Sequence, residues 1–160
     1  MNKIISEHII KVHNIFKEKK ITLSIAESCT GGLISHYITS FPGSSEFFVA
    51  GLVVYSAEMK KKILRIPSRI IENFGVVSSQ TAIEMADRIR KLTSTDFSVS
   101  TTGNLGPDVL EGKERGLIYI AVSRKNHTSV KEYKFKGNRQ QNKEKAALKA
   151  LEFLIEIVSS

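Results

Sequence analysis

Between Ile25 and Gly32 the chain reads IAESCTGG. Three consecutive residues, Ser28, Cys29 and Thr30, carry a hydroxyl or a thiol between an apolar run and a glycine pair. That is the composition of a strand-to-helix turn. Backbone N–H groups left free at a helix start stabilise an oxyanion or a phosphate, and the helix dipole adds to the effect. A nucleophile there has an electrostatic partner built in; the competing explanation is N-capping by Ser or Thr. A hydroxyl nucleophile needs a base. Histidine is the usual one, but His8 and His13 fall on the first amphipathic segment, His36 inside the helix after the glycines, and His127 in a hairpin turn. No Ser–His–Asp arrangement follows from those positions. Ser28 is flanked by Glu27 and Cys29, so it is not a G-x-S-x-G elbow, and no S-x-x-K occurs. Lysine is the next candidate. YSAEMKKK (55–62) sets Lys60 one turn into a short helix just beyond a strand end. A lysine desolvated in a cleft loses its proton more readily and then serves as a base. The alternative is that Lys60, Lys61 and Lys62 form an exposed run.

These residues need elements to position them. Ile5, Ile9, Val12 and Phe16, spaced 4-3-4, form one face of an amphipathic helix. ITLSIA (21–26) is short and β-branched, hence a strand, and 33–41 is the helix after it, ended by Pro42 and Gly43. The segment 47–56 contains a strand ending near Tyr55, followed by a short helix over 57–64. A helix with Pro67 at its start runs to Gly75. Another covers 78–92, with Ser78 or Ser79 as N-cap and Ile83, Ala86 and Ile89 inward. Strands follow at 96–103, 116–123 (nearly unbroken apolar, hence central) and 129–137, the last burying Tyr133 and Phe135. Asn138 caps the final helix with Gln141 as capping-box partner, and Ala147, Leu151, Leu154 and Val158 form its stripe. Early alternation and a late hairpin imply an α/β fold: a three-layer α/β/α sandwich on a mixed, mostly parallel sheet, one domain over 1–160. Ligands bind such sheets outside the carboxyl ends of the strands. Three loops qualify, after Ala26, after Tyr55 and after Thr101.

Composition narrows the classes. Hydrophobic residues at 41% of 160 support a real core. No apolar run approaches the roughly 20 residues needed to span a bilayer, and the first twenty residues lack the apolar core of a signal peptide. One cysteine excludes an internal disulfide and a multi-cysteine zinc site. H-E-x-x-H, carboxylate clusters and a Walker lysine are missing, so metal binding is not expected. The expected setting is the cytosol. The net charge of +8 is concentrated between Lys113 and Lys149, where eleven Lys or Arg face Glu114, Glu132 and Glu144. Such a region suits a phosphate or nucleic acid, or is simply a solvated lysine-rich face. Aromatic residues at 8% without Trp give little for stacking bases, so nucleic acid is the weakest option.

Six motifs, in order along nearly the whole chain, resemble the nicotinamide-nucleotide amidase family, also called the CinA C-terminal domain or PncC family. They are AESCTGG (26–32), PGSS (42–45), G-x-V-x-Y-S (51–56) followed by Lys60, GVVS (75–78), TGNLGP (102–107) and F-x-G-x-R (135–139). The resemblance implies deamidation of nicotinamide mononucleotide to nicotinate mononucleotide and ammonia by a Ser–Lys pair, with no metal or other cofactor. It implies Ser28 as nucleophile and Lys60 as base. Tyr55 and Thr102 would support that pair and hold the carboxamide, and Arg139 would meet the substrate phosphate. Thr30, Gly31, Gly32, Ser45 and Gly103 fall on motif positions expected to border the mononucleotide. Glu27 is expected to bond backbone N–H groups. A homo-oligomer and the stand-alone, one-domain form are expected too. SSEFFVAGLVV (44–54) carries more apolar surface than one central strand requires.

The chain departs from the family pattern in three places. Ala57 stands where Asn is usual. The loop after Pro107 reads DVLEGKERG (108–116), without the usual glycine pair and with Glu114 and Arg115 for Pro-Val. Lys143 replaces a second arginine. The rival expectation is therefore a homologue that keeps the cleft, binds a nucleotide and has lost turnover.

Overall fold

The computed structural model describes residues 1–160. In chain order the elements are α1 (Lys3–Lys19), β1 (Leu23–Glu27), α2 (Leu33–Thr39), a 3₁₀ turn (Ser44–Glu46), β2 (Phe48–Val53), α3 (Ala57–Leu64), α4 (Ser68–Phe74), α5 (Ser79–Thr93), β3 (Phe97–Gly103), β4 (Leu117–Arg124), β5 (His127–Lys134) and α6 (Arg139–Val158). The five strands form one sheet in the order β2-β1-β3-β4-β5. β1 pairs in parallel with β2 and β3, while β4 is antiparallel to both β3 and β5. Four strands thus share one direction and β4 alone is reversed. The chain is a mixed α/β sandwich, as its alternation of elements suggested.

Two faces of the sheet are covered differently. Ile5, Ile9, Val12 and Phe16 of α1 pack with α2, α6 and the inward side chains Leu23, Ile25, Val99, Ile118 and Ile120. Tyr133 and Phe135 lie half-buried against this core, stacked with ring centroids 5.7 Å apart. The opposite face receives α3, α4 and α5 around Ala26, Val54, Leu64, Ile66, Met85 and Ile89. There α5 approaches closely because the contact is made of small residues. The hydroxyls of Ser98 and Ser100 donate to the carbonyls of Ala86 and Ala82. The buried stripe of α5 is Ala82, Met85, Ala86 and Ile89, an i, i+3, i+4, i+7 pattern. Ile83, expected inward, is only half-buried, because the Ile83–Ala86–Ile89 spacing drifts off that face.

Local signals end the elements where they occur. Ser78 caps α5 through the Thr81 N–H, and Asn138 and Gln141 form a reciprocal capping box at α6. Position in the sheet is what the residue pattern did not give for β2. It is an edge strand, with Val49, Val53 and, just beyond it, Tyr55 each more than half exposed.

Candidate active site

The parallel strands set the site. β1, β2 and β3 end side by side, since Glu27 lies opposite both Val53 and Thr101. The residues that follow them converge. Ser28 leaves β1 with its N–H donating to the Thr101 carbonyl at 3.0 Å. Ser56 caps α3 through the Met59 N–H, so that α3 starts directly beyond β2. Lys60 and Leu64, four apart, form its buried side. Lys61 is half-buried and Lys62 exposed.

Lys60 is 1% exposed. Its Nζ lies 2.9 Å from Oγ of Ser28, 2.9 Å from the Val54 carbonyl and 3.1 Å from the Tyr55 carbonyl. Burial pushes its pKa down from 10.5 to about 8, against smaller opposing effects of Cys29 and Glu111. As an ammonium it uses three donors on three oxygens. As a neutral amine it still donates to the two carbonyls and aims its lone pair at Ser28. A proton can therefore pass between Oγ and Nζ with both carbonyls kept in hydrogen bonds. Cys29, beside Ser28, is 5% exposed, and burial pushes its thiol up to about 12. The reactive thiolate form is thus suppressed. The N–H groups of Cys29, Thr30 and Gly32 donate to no protein backbone acceptor, and of the three residues Cys29 alone borders the cavity beside Ser28.

Glu27, fully buried, holds the turn in shape. One carboxylate oxygen accepts from the Thr30 hydroxyl and the Ile34 N–H; the other accepts from the Ser35 N–H and hydroxyl. Glu27→Gln replaces one accepting arm by an N–H₂ group facing donors. We expect a loss of about 2–3 kcal/mol, the scale of hydrogen bonds to a charged group. Urea unfolding measures it, and a change under about 0.5 kcal/mol would contradict this role.

Two adjoining cavities open at this edge. The inner, about 50 Å³, is lined by Ser28, Lys60, Thr102, Val76 and Val77 among others. The outer, about 200 Å³, includes Asn104, Asp108 and Arg139. Cys29, Tyr55, Gly103 and Leu110 border both. Thr102 turns its hydroxyl to the Val76 carbonyl at 2.7 Å. Tyr55 reaches Lys60 through its carbonyl, while its phenol oxygen accepts from Arg139 at 3.0 Å. Arg139 also donates to the Gly106 carbonyl, which fixes the guanidinium at the mouth of the outer cavity with further N–H donors free. Gly31 and Gly32 take positive φ in the turn, and Nζ of Lys143 sits 3.3 Å from where a Cβ on Gly31 would be.

Not every expected residue joins the cavities. Thr30 is fully buried, with its hydroxyl on Glu27 and on Thr101 at 2.7 Å, so it shapes the turn from behind. Ser45 lies in the 3₁₀ turn ahead of β2, at the end of the sheet away from Ser28, because β2 runs parallel to β1. Conversely Leu110, Asn104, Asp108, Val76 and Val77 line the cavities without having been singled out individually. Their only sequence signal was membership of GVVS, TGNLGP or the divergent 108–116 loop. No group of three or more His, Cys, Asp or Glu is gathered to hold a metal, and no helix is long and apolar enough to cross a membrane.

An open α/β sheet with a serine–lysine contact at the carboxyl edge of its parallel strands defines the class. The chain belongs to the CinA C-terminal domain family, which it matches over residues 6–158. It is 40% identical over 144 residues to a CinA-like protein of Geotalea uraniireducens (strain Rf4), covering 89% of this chain and 34% of that protein. A CinA-like protein of Dictyoglomus thermophilum is 41% identical over 144 residues, with 89% and 35% covered. The chain thus spans about one third of the length of these curated relatives. Among solved structures, a competence or damage-inducible protein from Enterobacter asburiae superposes with a TM-score of 0.95 at 32% identity, covering 98% of this chain and 99% of that one. A competence/damage inducible protein, CihA, from Agrobacterium tumefaciens gives 0.95 at 30% identity, covering 100% and 98%.

Proposed function

We propose that this chain is a cytoplasmic amidohydrolase that deamidates nicotinamide mononucleotide to nicotinate mononucleotide and ammonia. The observation that supports it most is the 2.9 Å separation of Ser28 Oγ and Lys60 Nζ inside a buried pocket. Neutral Lys60 takes the Ser28 proton as Oγ bonds to the carboxamide carbon. The carbonyl electrons move onto oxygen, and the free Cys29 N–H at the cavity wall, with the start of α2 behind it, stabilises that charge. The oxyanion collapses, the C–N bond breaks, and Lys60 returns the proton to the leaving nitrogen. Water then attacks the acyl-serine, giving its proton to Lys60, which hands it back to Ser28 Oγ. The small inner cavity suits a carboxamide. A ring at the junction would touch Cys29, Tyr55, Gly103 and Leu110, and a phosphate would meet Arg139.

Incubation with nicotinamide mononucleotide, with ammonia and the acid product assayed, tests this. One ammonia per acid formed is the expected result. Saturable binding with no ammonia would instead identify a nucleotide-binding homologue without turnover, and neither would remove the proposal altogether.

We also expect a homo-oligomer. β2 leaves one edge of the sheet unpaired and exposes Val49 and Val53 on it. Exposed apolar edge strands are normally protected or paired. Light scattering at micromolar concentration should give a multiple of 17.8 kDa; a monomer would refute it.

A further inference from the structure

The loop between β3 and β4 is tied down on two sides. From below, buried Asn104 accepts from the Leu110 N–H at 3.0 Å and donates to the carbonyls of Leu110 and Lys113. From the side, Glu111 spreads its carboxylate over two consecutive backbone donors. Oε2 accepts from the Val76 N–H and Oε1 from the Val77 N–H, each at 2.9 Å. Lys113 donates to the carbonyls of Phe74 and Val77 and lies 3.8 Å from Glu111. The receiving surface fits this carboxylate. Gly75 has φ +82°, and a Cβ there would collide with the Glu111 carboxylate. Glu111 therefore joins the segment carrying Leu110 to the segment carrying Val76 and Val77, and all three border the inner cavity with Ser28.

We propose that Glu111 is a positioning residue that fixes the width of the Ser28 compartment, and that Leu110 is the specificity-determining wall it holds in place. The substrate class this selects is a primary carboxamide on a flat ring, with substituted amides excluded. The identity of the substrate rests on the amidase proposed above; the latch itself does not. A cavity of about 50 Å³ leaves little room for a substituent on the amide nitrogen, and one extra methyl in a tight pocket is worth roughly 10–200-fold in discrimination. Glu111 also has an electrostatic effect. Its charge, shared with Lys113 3.8 Å away, favours the protonated form of Lys60, and desolvation opposes it; Cys29, kept as a neutral thiol by burial, adds no charge at that pH.

The test uses the whole chain with Glu111→Ala, Glu111→Gln, Gly75→Ala and Leu110→Ala. Hydrogen exchange at the Val76 and Val77 amides reads the latch whatever the enzyme acts on. We expect exchange at least ~10-fold faster in Glu111→Ala and Gly75→Ala, and an intermediate effect in Glu111→Gln, which keeps one accepting oxygen. The ratio of kcat/KM for nicotinamide mononucleotide to that for its N-methylcarboxamide reads the wall. It should fall by roughly 10-fold in Leu110→Ala and Glu111→Ala. The acid limb of the pH–rate profile should move to lower pH in Glu111→Gln, because a negative charge that favours protonated Lys60 has been removed. Unchanged exchange in Glu111→Ala and Gly75→Ala overturns the latch, and an unchanged ratio in Leu110→Ala overturns the wall. If the wild type releases no ammonia while exchange responds as stated, the amidase fails and the latch stands. Leu110 is more than half exposed, so its truncation keeps the test open should a Glu111 variant fail to fold.

Discussion

If the chain is the amidase proposed above, Ser28→Ala should lower the rate of ammonia release from nicotinamide mononucleotide by roughly 10⁴-fold or more, the usual consequence of deleting a nucleophile whose base remains. Cys29→Ala should keep most of that activity. The two residues are adjacent and border the same cavity, so the contrast is a strict one. Its physical basis is proton affinity. The Cys29 thiol is pushed up to about 12 by burial, which leaves almost no thiolate at neutral pH. Ser28 Oγ instead has an amine 2.9 Å away that accepts a proton near pH 8. Thiol alkylation should be correspondingly slow. A dead Cys29→Ala beside an active Ser28→Ala would reverse the assignment.

Lys60 carries the second large effect, and its sign is separable from catalysis. Its pKa is about 8 in the folded chain against an ordinary 10.5. Activity should rise with pH through an ionisation near 8, where the amine becomes neutral. Lys60→Arg should be nearly inactive, because guanidinium stays protonated at any working pH. Stability follows the same titration. Between pH 8 and 10.5 the unfolded chain holds the proton that the folded chain has released, so stability rises with pH across that window. Below pH 8 the folded chain carries a buried ammonium at a cost of about 3 kcal/mol, from 1.36 kcal/mol per pKa unit. Lys60→Met removes that term. The difference in unfolding free energy between wild type and Lys60→Met should therefore shift by about 3 kcal/mol in favour of wild type from pH 8 to 10.5. Other lysines titrate in both proteins and cancel. A pH-independent difference would mean that Lys60 is not held at a lowered pKa. Full turnover by Lys60→Arg would make it a charge holder and end the Ser–Lys mechanism. Lys61→Ala and Lys62→Ala should be mild.

Much of the architecture was legible because it depends on local periodicity. The α1 stripe, the capping box at Asn138 and the placing of functional loops at strand ends each follow from spacing within one or two turns. The phase of α5 departs from its hydropathy pattern at Ile83, because size and not hydropathy sets which side meets the sheet. The helix face that meets the sheet carries alanines, selected by close approach to Ser98 and Ser100. That selection is a tertiary fact.

The site divides along the same line. The chain by itself determined the strand-to-helix turn at Ser28, the short helix that carries Lys60, and the basic start of α6 with Arg139, because each needs only neighbouring residues. Three adjacent lysines have three orientations on a helix, and only packing of the Lys60 and Leu64 side against α5 and the sheet chose one of them. The depressed proton affinity of Lys60 comes from desolvation by segments distant in sequence. The edge position of β2 depends on which strands pair, a long-range choice that no local pattern encodes. The same holds for Glu111. An acidic residue in an irregular loop has no periodicity to give it away; its role exists only because the turn at Gly75 presents two free N–H groups 34 and 35 positions earlier in the chain.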